Sequence, residues 1–390
     1  MRQRQFRDYA DRFVNHILTI GKKFDRIDIA FDQYKDTGTS IKDGTRERRK
    51  KTSRPIRRLI ENREVPLPSK WTDFLALSDN KKDLSAFLSN ELISQAPPEK
   101  VIVVAGGLGL EVKSNDPQMD TTMLRSDHEE ADVRVILHCI NSPARHNIVC
   151  TRDTDIVVLL LVNYHRMQCK TLWVKAGTSK NRQYIPIHDV HKSLAFEQET
   201  LEELLAYHAL TGCDTVSYLM GHSKKSAWVV FLEKHKLLQE LGKTETLSDE
   251  GNCKAEQFLC KVYKVPYDIC DKGRVYLFSK LKSPELLPPT SDAARFHIQR
   301  ANFQTFVWRQ AHVPTPALPS PTTSGWENVN GKLRPILTTL PPIPKACKDI
   351  VFCGCTKGCN SNNCSCKKAN LPCTAACKCN EGEIECRNQK

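Results

Sequence analysis

Six carboxylates stand where one predicted element of the chain gives way to the next. They are Asp32, Glu130, Asp132, Asp153, Asp155 and Asp214. Asp32 ends a predicted strand, and Asp214 follows a predicted helix in TGCDT. Carboxylates that converge repel one another unless divalent cations neutralise them. The six residues are therefore candidate ligands of Mg²⁺ or Mn²⁺ in a two-metal site for phosphodiester hydrolysis, with ions ~3.5–4 Å apart.

Each carboxylate also has an ordinary structural explanation. Acidic residues near helix starts commonly cap the helix, and Asp in loops commonly makes turns. The pair Asp153 and Asp155 is harder to explain in this way, because it lies at the edge of the apolar run IVVLLL, which we predict to be a strand. A turn at that edge does not need two Asp residues.

A second group of reactive residues closes the chain. Ten of the 17 cysteines lie between Cys347 and Cys386. Three tetrahedral zinc ions need twelve bonds, which nine thiolates supply if three of them bridge two ions. A disulfide framework is disfavoured by the odd count, the C-x-C pairs and a charged amino terminus that predicts no secretory signal. The nine predicted zinc ligands are Cys353, Cys355, Cys359, Cys364, Cys366, Cys373, Cys377, Cys379 and Cys386.

Predicted strands alternate with predicted helices through the first two thirds of the chain. This order indicates an α/β fold with a mostly parallel sheet flanked by helices, plus a small cysteine-rich module stabilised by zinc. Ligands of such sheets bind beyond the carboxyl ends of the strands, which is where the six carboxylates are predicted to lie. We predict a core over 1–283, a helix and Pro-rich linker over 284–345, and the cysteine module over 346–390.

Charge and hydropathy restrict the class of partner. The 390 residues carry a formal net charge of +13, with a sequence pI of about 9.0, which fits a polyanionic partner. A run of at least ~18 apolar residues would indicate a membrane span. The chain contains no such run, so no membrane partner is expected.

Three motifs in order resemble the nuclease core of the flap-endonuclease family, which has a PIN-like fold. They are EEADVRVILHCI, TRDTDIVVLLL and ALTGCDTVSYLMGHSKKSAW, preceded by AFDQYKDTGTSIKDGTRERRK. The resemblance implies that the six carboxylates bind Mg²⁺ or Mn²⁺ and that the protein cuts branched or single-stranded DNA. It also implies a basic arch over about 42–95 and a phosphate-binding turn near Gly221. The implied nucleic-acid contacts are Lys42, Arg46, Arg48, Arg49, Lys50, Lys51, Arg54, Gly221, Lys224 and Lys225.

The chain departs from the family pattern at its start. The family begins with a strand that carries a further metal-binding Asp, before the helix that here starts around Tyr9. Asp132 also replaces a Glu of the family, and Ser223 stands where a second Gly is usual. Three possibilities remain open: an active nuclease, a catalytically inactive scaffold that binds DNA or protein, and a fragment of a longer protein.

The cysteine spacing resembles the tesmin-type CXC domains, which bind zinc and contact DNA. The first interval is one residue shorter than usual in that family, and the aromatic DNA-contacting signature is absent. The combination with a nuclease core is similar to a group of transposon-associated or lineage-expanded animal proteins. These resemblances imply a nuclear protein with three zinc ions, with DNA and a chromatin protein as partners.

Overall fold

A computed structural model of the chain describes residues 4–34, 40–42, 54–107, 109–178, 180–280, 283–340, 351–356, 358–374, 377–380 and 386–389. The chain divides into two compact units, Met1–Leu337 and Thr338–Lys390. The segment 284–337, which the sequence analysis placed in a helix-and-linker region, lies in the first unit.

The amino-terminal half of the first unit is a three-stranded sheet with helices packed against it. Its elements are α1 (Phe6–Ile20), β1 (Arg26–Gln33), α2 (Trp71–Leu75), α3 (Ser78–Ser94), β2 (Val101–Gly107) and β3 (Val112–Ser114). β1 and β2 are parallel, with Ile27 opposite Ile102, and β3 is antiparallel to β2. Phe6, Ala10 and Val14 recur every fourth residue of α1, which places them on one face of the helix. That face is buried in the clusters that α1 forms with α3 and β2.

A second three-stranded sheet follows. Its elements are α4 (Ala131–Asn141), β4 (His146–Cys150), α5 (Thr154–Asn163), β5 (Thr171–Gly177), β6 (Arg182–Pro186) and α6 (Ile187–Leu194). α4 packs against both β1 and α5, so it joins the carboxyl end of β1 to the start of α5. His138 Nδ1 lies 2.6 Å from Asp28 Oδ2, and Arg26 donates to Asn141 Oδ1 at 3.0 Å. These contacts fix α4 against β1.

The α/β class predicted from the sequence is confirmed as a mixed α/β fold, with twelve helices among the described residues. The expected mostly parallel sheet is not what the described strands form. Each three-stranded sheet has one parallel and one antiparallel pair. Only 108–111 separate β2 from β3, and only 178–181 separate β5 from β6. A connection this short permits an antiparallel hairpin, whereas a parallel neighbour requires a crossover of roughly a dozen residues or more.

The prediction that IVVLLL is a strand was wrong. β4 ends at Cys150, and the run lies in helix α5. The Asp153 side chain caps this helix by accepting a hydrogen bond from the Asp155 backbone N–H at 2.9 Å. A continuous apolar run fits a buried helix as well as a buried strand, so hydropathy alone does not separate the two.

Helices and one hairpin complete the first unit. They are α7 (Gln198–Leu210), α8 (Lys224–Lys234), α9 (Asp249–Val262), α10 (Cys270–Ser279), α11 (Ser291–Arg309), β7 (Trp326–Val329) and β8 (Lys332–Pro335). α7 packs between α5 and α11 in the largest hydrophobic cluster. Thr290 caps α11 by accepting a hydrogen bond from the Ala293 N–H at 3.2 Å.

The second unit contains one short helix, α12 (Ser365–Lys368), among its described residues. Eight cysteines there are buried, and they form a cluster with Cys355 and Val351 packed against it. Across the parts of the chain that the structure describes, no helix combines the length and the apolar character needed to cross a membrane.

Candidate functional site

Two helix starts bring three of the predicted ligands together. Asp132 lies in the first turn of α4, Asp153 is the N-cap of α5, and Asp155 lies in the first turn of α5. One carboxylate oxygen from each of the three lies within 4.8 Å of the others. Because α4 packs on α5, Asp132 meets Asp153 and Asp155, although it precedes them by 21 and 23 positions in the sequence. We call these three residues the acidic cluster.

Glu130 and Asp214 approach the acidic cluster through a lysine. Lys42 Nζ lies 3.1 Å from Glu130 Oε1 and 3.4 Å from Asp214 Oδ2. The Lys42 side chain is 20% exposed. Lys42 was predicted to steer phosphates from a basic arch, and the structure places its ammonium group among the carboxylates instead.

Asp32 occupies a different position from the other five carboxylates. It lies near the end of β1, is exposed, and accepts a hydrogen bond from the Ala131 backbone N–H at 3.0 Å. It thereby contacts the start of α4, next to Glu130, but it is not in the group of mutually close oxygens.

The carboxylates hold protons more tightly than isolated ones. Burial raises the pKa of Glu130 to about 7, although Lys42 beside it acts in the opposite direction. Burial, with the nearby Glu130 and Asp153 carboxylates, raises the pKa of Asp132 to about 8. Burial also raises the pKa of Asp153. Burial is the main cause in each case, so Glu130 and Asp132 keep their protons near neutral pH.

The pKa of the Lys42 ammonium group is raised as well. Burial lowers the pKa of Lys42, but the Glu130 and Asp214 carboxylates outweigh burial and raise the pKa above its usual value. The ammonium group thus stays charged and supplies one positive charge to the site.

The contact between His208 and Asp155 was not predicted from the sequence. His208 Nε2 lies 2.8 Å from Asp155 Oδ1, and both side chains are buried. The His208 ring also packs on Trp308, with ring centroids 5.7 Å apart. His208 and Asp155 are 53 residues apart and lie on different helices, so no local spacing in the sequence signals the pair.

The predicted nucleic-acid contacts are only partly described. Arg46, Arg48, Arg49, Lys50 and Lys51 lie outside the described residues. Arg54 is exposed, and its backbone N–H donates to Asp73 Oδ1 at 3.2 Å.

The predicted phosphate-binding turn lies between α7 and α8. Gly221 has a φ of +77°, a conformation that favours glycine. Lys224 is turned inward, where its Nζ donates to the carbonyl oxygen of His208 at 2.5 Å and to Thr211 Oγ1 at 2.9 Å. Burial lowers the pKa of Lys224 to about 8. Lys225 is exposed to solvent.

The second unit gathers all nine predicted cysteine ligands. Four overlapping groups of four sulfurs, each group within 4.8 Å, together include every one of the nine. Cys353 and Cys373 lie at the centre, because each belongs to three of the four groups. Asn388 Nδ2 donates to Cys373 Sγ at 3.3 Å, a contact that favours a thiolate. These clustered thiols can hold zinc, whereas Cys347 lies outside the described residues.

The chain was compared with protein-family models, with curated proteins and with solved structures. The chain matches no protein-family model, no curated protein and no solved structure.

Proposed function

We propose that the first unit is a divalent-metal-dependent phosphodiester hydrolase, a structure-specific DNA nuclease of the flap-endonuclease type. One observation carries the proposal: Asp132, Asp153 and Asp155 meet within 4.8 Å at the starts of two packed helices. The net charge of +13 on the chain fits a nucleic-acid substrate. Branched or single-stranded DNA and a nuclear location follow from the family resemblance.

The residues at the acidic cluster suit Mg²⁺ or Mn²⁺. Carboxylate oxygens are the ligands that these hard cations prefer, and no imidazole or thiol belongs to the described group. Burial, together with the neighbouring carboxylates, raises the pKa values of Glu130 and Asp132, and a bound cation would offset the carboxylate repulsion that is part of this shift. Bound ions of this kind activate water and stabilise the leaving oxygen in phosphodiester hydrolysis.

The chain's own side chains prepare this chemistry. His208 fixes the orientation of Asp155 through the 2.8 Å contact, and the Asp155 backbone N–H fixes Asp153. Glu130 and Asp214 hold Lys42 at the edge of the cluster. Asp32 holds the start of α4 in place through the Ala131 N–H.

A cleavage assay tests the proposal. Labelled flap, hairpin and single-stranded DNA are incubated with the full chain in Mg²⁺ or Mn²⁺, with EDTA as the metal-free arm. We expect cutting that depends on metal and disappears in the Asp153→Ala/Asp155→Ala variant. Glu99→Ala/Glu197→Ala is the matched control, because it also removes two carboxylates, both exposed and placed before β2 and α7, at the ends remote from the cluster. Equal activity of wild type and the Asp153/Asp155 variant would assign the cutting to a contaminant.

Lys42 favours a second candidate function, a catalytically inactive nuclease scaffold that binds DNA or protein. An ammonium group beside Glu130 and Asp214 partly neutralises the carboxylates without a metal ion. DNA binding that is equal in wild type and the Asp153→Ala/Asp155→Ala variant, with no cutting by either, would select this alternative.

We further propose that the second unit binds three zinc ions and contacts DNA or a chromatin protein. Three bridging thiolates must be mutual neighbours, and Cys353, Cys364 and Cys373 belong to one group of sulfurs within 4.8 Å. Cys353 and Cys373 are 3.8 Å apart, and Cys364 and Cys373 are 3.9 Å apart.

The remaining six cysteines then form three pairs of terminal ligands. Cys355 and Cys359 share a group with Cys353 and Cys364. The sulfurs of Cys366 and Cys377 are 3.5 Å apart, and Cys379 and Cys386 share a group with Cys373. Each ion would thus have two terminal and two bridging thiolates, which is tetrahedral coordination. Counting zinc per chain by native mass spectrometry tests the assignment, with three ions expected and any other number against it.

A further inference from the structure

Two strands of the first unit, β1 and β4, each lie at an edge of their sheet. The strand orders are β1-β2-β3 and β4-β5-β6, so each of the two strands pairs on one side only among the described residues. β1 is parallel to β2, and β4 is parallel to β5. An edge strand presents a row of backbone N–H and C=O groups that can pair with another strand. Both edges can therefore accept one more strand.

The two edges run in the same direction along one helix, α4. At the end of β1, the Gln33 backbone N–H donates to the carbonyl oxygen of Glu129, just before α4 begins, at 2.8 Å. At the start of β1, Arg26 donates to Asn141 at the end of α4. β1 is therefore antiparallel to α4. β4 follows the end of α4 and leads back to the acidic cluster at the first turn of α4, so it runs parallel to β1.

α4 packs on both sheets and so holds the two edges side by side. Leu137 of α4 lies in a hydrophobic cluster with Val103 of β2, and Ile136 lies in the cluster that contains Val149 of β4. Paired strands lie ~4.8 Å apart, and an α-helix with its side chains is about 10 Å across. Two parallel strands that pack on one helix without pairing leave a space about one strand wide. We call this space, bounded by β1 and β4, the strand slot.

The edges of the strand slot are accessible and largely apolar. Residues 26–31 of β1 are all partly exposed, although α1 and α3 pack on one face of the strand and α4 on the other. Residues 102–105 of β2, a strand that is paired on both sides, are buried. On β4 the Ile148 side chain is 41% exposed, and the strand contains neither Lys nor Pro, the residues that commonly protect edges from pairing.

We propose that the strand slot binds an extended apolar segment of a partner polypeptide, which adds as a strand parallel to β1 and β4 and joins the two sheets. Backbone hydrogen bonds to both edges supply the affinity, and the side chains that face α4 supply the specificity. β4 spans five residues, so about five residues of the partner pair with both edges. Each described strand of this chain already pairs within its own sheet. A second copy would have to break a sheet to lend one, so the occupant is a different polypeptide.

Fluorescence anisotropy of a labelled synthetic peptide with the full chain tests the proposal. The peptide KVTVIVTK, in one-letter code, presents valines on one face for α4, and its lysines and threonines keep it soluble. We expect saturable binding of one peptide per chain. Replacing its isoleucine by proline removes a backbone donor and should weaken binding about tenfold or more. Absence of saturable binding, or equal binding of the proline peptide, would overturn the proposal.

Methylation of peptide backbone nitrogens shows whether the peptide lies between two edges. The N–H groups of alternate residues in a strand point toward opposite neighbours. One peptide is methylated at its second, fourth and sixth residues, and another at its third, fifth and seventh. Both should bind about tenfold more weakly or worse, because each set of N–H groups pairs with a different edge. A loss with only one set would indicate addition at an outer edge, β3 or β6, and would overturn the proposal.

Matched protein variants locate the binding surface. Ile148→Asp places a charge in the strand slot and should weaken peptide binding about tenfold or more, because the bound strand would bury that charge. Tyr184→Asp, in β6 at the opposite edge of the same sheet, should leave binding unchanged. Both side chains are exposed, Ile148 by 41% and Tyr184 by 53%, so both variants should keep the wild-type circular dichroism spectrum. Equal effects of the two substitutions on binding would overturn the proposal.

Discussion

The Lys42 ammonium group competes with a divalent cation for the carboxylates around the acidic cluster. Its two contacts are charge-assisted hydrogen bonds, at 3.1 Å to Glu130 and 3.4 Å to Asp214. A hydrogen bond to a charged group contributes ~1.5–3 kcal/mol. The Asp214 side chain is 42% exposed, so solvent screens that contact and the Glu130 contact carries most of the effect.

Replacing Lys42 by Met removes the competitor and keeps a long apolar stem. If Mn²⁺ displaces the ammonium group when it binds, Lys42→Met should tighten Mn²⁺ binding by about tenfold to one hundredfold, the factor that ~1.5–3 kcal/mol represents. Lys42 lowers the pKa of Glu130 and Asp132, so its removal raises both values further. The two proteins are therefore compared at several pH values up to 9, because competition from protons falls as the pH rises.

Electron paramagnetic resonance of free Mn²⁺ measures the affinity directly. Lys42→Arg keeps the positive charge and should bind Mn²⁺ about as weakly as wild type, and Lys22→Met controls for the loss of an exposed lysine elsewhere. Unchanged or weaker Mn²⁺ binding by Lys42→Met would refute the reasoning, because it would show that the ammonium group and the cation do not share a site.

Three further predictions concern pH, zinc and the buried histidine. The pKa values of Glu130 and Asp132, about 7 and about 8, lie above those of an unfolded chain, so the metal-free protein loses stability as pH rises toward 8. Added Mn²⁺ should therefore raise the thermal unfolding temperature more at pH 8.5 than at pH 6, and equal shifts in calorimetry would count against the raised values. Cys364→Ser removes a proposed bridging thiolate, whereas Cys355→Ser removes a terminal one. Native mass spectrometry of the full chain should therefore count fewer zinc ions in Cys364→Ser than in Cys355→Ser. Equal counts would reject the bridging assignment. His208→Ala frees Asp155 and should weaken Mn²⁺ binding about 10- to 100-fold. His208→Gln, which retains a donor, should lose less, and equal losses would show that the contact does not orient Asp155.

Local spacing made the cysteine module predictable from the sequence. All nine ligands lie within 34 positions, so their convergence follows from chain geometry whatever the rest of the fold does.

For the carboxylates, only the general location was predictable from the sequence. Their positions at element boundaries indicated a shared edge, and Asp132, Asp153 and Asp155 do meet, although α5 is a helix where a strand was predicted.

Long-range contacts were beyond the sequence analysis. The pair of His208 and Asp155 and the approach of Lys42 to Glu130 join segments 53 and 88 positions apart, and only the packing of α4, α5 and α7 determines them. The antiparallel pairing of β3 with β2 and of β6 with β5 departs from the expected mostly parallel sheet for another reason. The alternation of strands and helices favoured crossovers, while the length of the connections, only four residues in each case, decided the pairing.

The coupling of Mn²⁺ binding to DNA cleavage in one sample tests the nuclease proposal most directly. Single-turnover cleavage of a 5′-labelled flap substrate is measured across a Mn²⁺ titration, and Mn²⁺ binding is measured on the same protein. The account predicts that cleavage saturates over the same Mn²⁺ range as binding and that both disappear in Asp153→Ala/Asp155→Ala. Mn²⁺ binding at the acidic cluster without any cleavage, or cleavage that persists in the variant, would contradict it.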